Sequence, residues 1–184
     1  MANTGKVRII GGEWRGRIVH FPDHEGLRPT ADRVRETLFN WLAPTIRGAH
    51  CLDMFAGSGA LGLEALSRGA AHCDFLERGR PPAQALIAHL QQLGGTTRSN
   101  VFQTNAIEWS SETPYDLVFI DPPFDDDLWQ AALCHLLEAR LVAQGSQIYL
   151  EQSARAPLVN GVDAFEILKD KKAGDVRYLL LEVK

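Results

Sequence analysis

Four consecutive residues, Asp121-Pro122-Pro123-Phe124, close the apolar run YDLVFI and carry the most pointed chemistry in the chain. Two successive prolines remove two N–H donors and fix φ, so the turn is stiff and its carbonyls are left to accept. An ionised aspartate is an acceptor-only group. The Asp121 carboxylate and the Pro122 carbonyl thus offer two acceptors to one spot, and an NH2 group has two hydrogens to give. Phe124 adds a flat apolar face on which a base can stack, worth about 1–3 kcal/mol per base, and Pro123 stands beside it on the substrate side. The competing reading is a plain Pro-Pro loop, with Asp125, Asp126 and Asp127 capping the helix that follows.

A second group lies upstream. Residues 57–62 read Gly57-Ser58-Gly59-Ala60-Leu61-Gly62, a literal GxGxxG, and Glu77 follows twenty residues after Gly57. Glycines here permit a tight turn and a close backbone approach to a ligand. Taken alone, the pattern admits a dinucleotide and therefore a nicotinamide enzyme. Asp53, ahead of Phe55 and Ala56, tilts the balance, because a carboxylate in this pocket repels a pyrophosphate and suits a cation. S-adenosylmethionine, with its sulfonium and ammonium groups, is such a ligand. Glu77, next to Arg78, can accept the ribose hydroxyls as a charged acceptor. Asn105-Ala106 would border the adenine, whose edge an amide can read with one donor and one acceptor; a turn residue is the equal alternative for Asn105. Cys51, Cys73 and Cys134 stand alone without CxxC spacing, so no metal is expected and the three read as small buried hydrophobes.

The elements that must position these groups alternate. Strands are expected at HCLDMF, HCDFLE, NVFQT, YDLVFID and GSQIYLE. Helices are expected at ALGLEALSRG, PPAQALIAHLQQLG and DDLWQAALCHLLEARL. Repeated βα units imply a mostly parallel sheet with helices on both faces, whose ligands bind beyond the carboxyl ends of the strands. The segments near FEILKD and VRYLLLEV close the sheet as an antiparallel hairpin. Ahead of this core, VRII and RIVHF flank GGEWRG as a β-hairpin. Pro29 and Thr30 then introduce a helix with Val34, Leu38 and Leu42 on one face and Arg33 and Arg35 on more exposed flanks. One domain fills residues 1–184, with 1–29 as hairpin extension and contact loop and 30–184 as core.

Net charge is −4, which argues against a protein that coats nucleic acid indiscriminately. The charge is uneven: residues 1–50 carry +3 and the other 134 residues −7. A basic front on an acidic body suits a local anionic contact as well as it suits a solvated face. The amino terminus lacks the apolar core of a secretory signal and no long apolar run is present, so a cytoplasmic chain away from membranes is expected.

The tetrapeptide Asp121–Phe124 resembles the motif of amino-group methyltransferases. With VRIIGGEWRGR, LRPTADRVRETLFNWL, LDMFAGSGALGLEALSRGA and IDPPF in that order, nearly the whole chain resembles the bacterial 16S ribosomal RNA guanine-N2 methyltransferase family. The resemblance implies a Rossmann-like, seven-stranded class I methyltransferase sheet (α/β) preceded by a β-hairpin. It also implies transfer of a methyl group from S-adenosylmethionine to the N2 amine of one guanine, on a small ribosomal subunit assembled or assembling. Asp53, Phe55–Gly59, Glu77, Arg78, Asn105, Ala106 and Asp121 would hold the cofactor, and Asp121, Pro122 and Phe124 the base. Arg15, Arg17, Arg28, Thr30, Arg33, Arg35 and Pro123 would face the RNA. A monomer is expected, with a ribosomal protein as a docking aid. DNA adenine methylation, glutamine methylation and a non-catalytic RNA-binding assembly factor are the rivals. Two features depart from the family pattern: Gly79 where an aspartate is usual, and the three aspartates after Phe124.

Overall fold

The computed structural model describes residues 4–22, 32–123, 128–157 and 162–184. Among them the chain runs β1 (Thr4–Arg8), β2 (Ile18–Pro22), α1 (Asp32–Leu42), β3 (His50–Asp53), α2 (Ala60–Ser67), β4 (His72–Leu76), α3 (Arg80–Leu93) and β5 (Ser99–Phe102). It continues through β6 (Tyr115–Ile120), α4 (Trp129–Glu138), β7 (Val142–Ser153), β8 (Phe165–Ala173) and β9 (Val176–Val183). Strands β3 to β9 form one seven-stranded sheet in the order β5-β4-β3-β6-β7-β9-β8. Neighbours from β5 to β7 are parallel, and β9 enters antiparallel between β7 and β8. The strand order reverses between β3 and β6, and in such sheets ligands bind beyond the carboxyl ends at that border.

Both faces of the central strands are covered, which is why YDLVFI reads as a continuous apolar run. Leu117 and Phe119 point to one side, where α1, α2, α3 and the hairpin pack. Val118 and Ile120 point to the other, against Ala132, Leu133 and Leu136 of α4. On α1, Val34, Leu38 and Leu42 are buried at their four-residue steps. All eight residues of α2 are buried. A Cβ on Gly62 would sit 2.2 Å from the Phe75 ring, so the third glycine of the pattern lets α2 lie against β4.

The amino-terminal hairpin pairs Lys6 with His20 and Arg8 with Ile18. Its inward residues Val7, Ile9, Val19 and Phe21 are buried, and Lys6, Arg8, Ile18 and His20 face outward. Two expectations need correction. The helix read as running to Leu141 ends at Glu138, because Arg140 takes φ 54° while Leu141 N–H donates to Leu136 O, a Schellman-type stop without glycine. Cys134 is exposed on α4, whereas Cys51 and Cys73 are buried as expected.

Candidate active site

The chemistry-bearing residues gather along the carboxyl edge of β4, β3 and β6. Asp53 ends β3 in register with Phe75 of β4 and Phe119 of β6. The chain then turns on Gly57 (φ 50°) and Gly59 (φ 75°), conformations that L side chains rarely adopt. The turn is tied to its neighbours: Met54 N–H donates to Phe119 O at 3.1 Å and Ala56 N–H to Leu76 O at 3.0 Å. A Cβ on Gly59 would meet Leu86 Cδ1 at 2.5 Å, so a side chain here would have to displace Leu86 as well as adopt a strained φ. Ala56, Gly57, Ser58 and Gly59 are buried, and Phe55 is half-buried.

Glu77, at the end of β4, braces the turn with its carboxylate. Gly57 N–H donates to Oε2 at 2.9 Å and Gly79 N–H to Oε1 at 2.6 Å. The glycine at position 79 therefore serves as a donor to Glu77 at the start of α3, where a Cβ would crowd Pro82 at 2.9 Å and Glu77 Oε1 at 3.0 Å. Glu77 is only half-buried, so a carboxylate with about four lone-pair sites keeps capacity for hydroxyl donors. Arg78 is exposed beside it.

Asp53 is the electrostatic centre of the edge. It is 2 % exposed, and its Oδ2 accepts the Gly62 N–H at 3.0 Å in the first turn of α2. Burial pushes its carboxyl up to about 7; the Gly62 N–H draws it back and the charge of Glu77 raises it further. An anion held at this cost in a glycine-lined turn fits a cationic ligand. A pyrophosphate would add negative charge beside two carboxylates.

Asp121 and Pro122 follow directly on β6, Asp121 half-buried and Pro122 buried, with Pro123 exposed. Phe124 and the three aspartates after it lie outside the described residues, as do Arg28 and Thr30. Next to Asp121 stands a residue that sequence reading did not single out. Glu151 on β7 is buried and accepts the Tyr149 hydroxyl at 2.8 Å. Burial, and then the charges of Glu151 and Asp121, hold the Tyr149 phenol well above its ordinary value.

The third strand end is a capped turn. Asn105 accepts Ile107 N–H at 3.4 Å and donates to Glu108 at 3.0 Å, and Ala106 behind it is buried. The Asn105 side chain thus shapes the turn after β5, the alternative weighed for it from sequence.

The basic residues of the first fifty divide. Arg33 is exposed and forms no ion pair among the described residues. Arg35, expected on an exposed flank, is instead fully buried. Its guanidinium donates to Arg8 O at 2.8 Å and Asp32 at 2.6 Å, and lies 3.7 Å from Glu64. The one-face periodicity of α1 could not reveal this, because the hairpin folds over a flank that would otherwise be open. Glu64, a lone charge in the apolar helix ALGLEALS, was the available signal. Its carboxylate accepts Ile10 N–H and Gly11 N–H, both at 2.8 Å, and Arg68 Nε at 2.7 Å.

Arg15 and Arg17 are exposed at the hairpin tip, which packs on the far end of α2. Glu13 N–H donates to Ser67 O at 2.7 Å and Trp14 N–H to Ser67 Oγ at 2.9 Å, while the Trp14 ring lies against Gly95 beyond α3. At 1.5 Å rise per residue, Ser67 is about 10 Å along α2 from the glycine turn. Their side chains therefore belong to the opposite end of the molecule from Asp121.

Among the described residues no cluster of three or more His, Cys, Asp or Glu could hold a metal, and no helix is long and apolar enough to cross a membrane. Residues 7–182 match the family described as conserved hypothetical protein 95. The ribosomal RNA small subunit methyltransferase D of Escherichia coli strain K12 is 46% identical over 184 residues, covering 98% of this chain and 92% of that protein. The protein of the same name from Haemophilus influenzae is 42% identical, covering 97% of this chain and 94% of its own. The solved structure of the Escherichia coli protein yhhF superposes with a TM-score of 0.88 at 43% identity, covering 98% of this chain and 99% of that one.

Proposed function

Because this chain belongs to the conserved hypothetical protein 95 family, with relatives called ribosomal RNA small subunit methyltransferase D, we propose that it methylates one guanine of 16S ribosomal RNA at the exocyclic N2 amine. The observation that carries the reading is the carboxyl edge of β4, β3 and β6. A buried Asp53, a turn on two glycines of positive φ, and the Asp121-Pro122 acceptor pair meet there. Bound at that edge, S-adenosylmethionine supplies a methyl group already activated by its sulfonium charge.

The chain's own residues do the rest. Asp53 and the Gly57–Gly59 turn hold the cationic methionine end, Glu77 accepts ribose hydroxyls with Arg78 at the rim, and the main chain at Asn105–Ala106 borders the adenine. The guanine amine is a poor nucleophile, because its lone pair is delocalised into the ring. Asp121 and the Pro122 carbonyl accept its two N–H bonds, which leaves electron density on nitrogen and fixes its direction, and such positioning removes several kcal/mol of barrier. The base must leave its stack to enter, at a cost of a few kcal/mol. Arg33, with Arg28 and Thr30 from the preceding segment, grips the backbone on the substrate side, a contact that positions without reading sequence. Arg35 is excluded from that role by its burial. A substrate presented as a small subunit, with a ribosomal protein aiding the dock, is consistent with the modest net charge.

Asp121→Ala tests the assignment. Turnover should fall by orders of magnitude while cofactor affinity stays within several-fold. Equal loss of both would move Asp121 from the amine to the cofactor.

A further inference from the structure

Glu151 is the feature of the carboxyl edge that the proposed chemistry does not use. Ile120 of β6 is in register with Leu150 of β7, both on the α4 face, so the residues that follow them, Asp121 and Glu151, alternate to the opposite face, where Tyr149 lies. Adjacent strands lie about 4.8 Å apart, and the charges of both Glu151 and Asp121 act on the Tyr149 phenol. Glu151 is 6% exposed, and burying a carboxylate next to another one is unfavourable unless donors face it. Tyr149 supplies one such donor. The Trp129 indole N–H, at the start of α4, donates to the Glu151 backbone carbonyl at 2.5 Å. The backbone of Glu151 is thus tied to α4 and its carboxylate to Tyr149.

We infer that Glu151 identifies the target as guanine by accepting the N1–H of the base while Asp121 and Pro122 hold its N2 amine. The inference rests on the function proposed above. N1–H and N2–H2 are neighbouring donors on one edge of guanine, and two adjacent acceptor-only groups match two adjacent donors. Adenine presents an acceptor at N1, which a carboxylate repels. Buried acceptors left unpaired give strong discrimination, up to about 10⁴-fold or more, where added bulk alone gives far less. A carboxylate has about four lone-pair sites, so the Tyr149 hydroxyl orients Glu151 without exhausting it.

The test uses small subunits whose methylated position carries guanine or 2-aminopurine. The analogue keeps the N2 amine but has an acceptor at N1. Single-turnover transfer of labelled methyl is measured for the unaltered protein, Glu151→Gln and Tyr149→Phe, with cofactor affinity by calorimetry. The unaltered protein should prefer guanine by at least about 100-fold. Glutamine can donate to the analogue's N1, so Glu151→Gln should cut the preference at least tenfold, mainly by losing transfer to guanine, with cofactor affinity within twofold. An unchanged preference, whatever the absolute rates, overturns the role of Glu151. If Glu151→Gln does not fold, Tyr149→Phe decides: loosening the carboxylate should lower the preference several-fold, and no change overturns the inference. Failure of the unaltered protein to methylate guanine N2 at all would instead remove the proposed function itself.

Discussion

Cofactor binding should be strongly pH-dependent, and the dependence should reside in one side chain. Asp53 is buried, with its carboxyl raised to about 7. If the ionised form receives the cationic methionine end, each pH unit below 7 leaves tenfold fewer molecules ready to bind. At pH 6 about one in ten is ionised and the apparent Kd should be about tenfold weaker than at pH 8, a difference of about 1.4 kcal/mol. Titration calorimetry of S-adenosylmethionine in two buffers of different ionisation heat reads this directly, with close to one proton released at pH 6 and almost none at pH 8.5. Asp53→Asn should weaken binding at pH 8 by about 10–100-fold, the usual worth of a charged hydrogen bond, and flatten the profile. The same raised carboxyl acts on folding with the opposite sign. The native state holds a proton that the unfolded chain has released, so the ligand-free protein should lose a few kcal/mol of stability as pH rises from about 4 to 7. A flat affinity between pH 5.5 and 8, with no proton released, would refute the placement of Asp53 against a cation.

Other perturbations follow from the packing. Glu64→Ala leaves the Arg35 guanidinium and two hairpin N–H groups without their carboxylate, and should cost about 3–5 kcal/mol in denaturant melts. Gly62→Ala drives a Cβ into Phe75 and should cost about 1–3 kcal/mol or block folding, readable as a lowered Tm. Arg33→Ala should weaken binding to the small subunit and lower its salt slope by about 1. Arg15→Ala, at the other end of the molecule, should change neither, and a reduced slope for it would show that the RNA extends to the hairpin tip.

The order of elements was legible because each rests on a local signal: the four-residue steps of α1, the glycines that end β3, and the apolar runs of strands covered on both faces. The Asp53, Glu77 and Asp121 cluster was legible for a related reason, since the rule for parallel sheets names the strand ends where ligands bind. Arg35 and Glu64 were not, because their pairing spans 29 positions and depends on the hairpin crossing both helices. The hairpin itself could be read from GGEWRG, but its tip docking at Ser67 could not. Glu151 escaped notice because one carboxylate in the strand QIYLE carries no spacing signal. Its place beside Asp121 follows only from the β6–β7 register.

The most direct measurement is transfer of labelled methyl from S-adenosylmethionine to small ribosomal subunits and to bare 16S RNA lacking the modification, followed by identification of the labelled nucleoside. N2-methylguanosine at a single position, formed faster on particles than on bare RNA, is the result expected. Label in any other nucleoside, or none at all from a protein that binds the cofactor, would contradict the account.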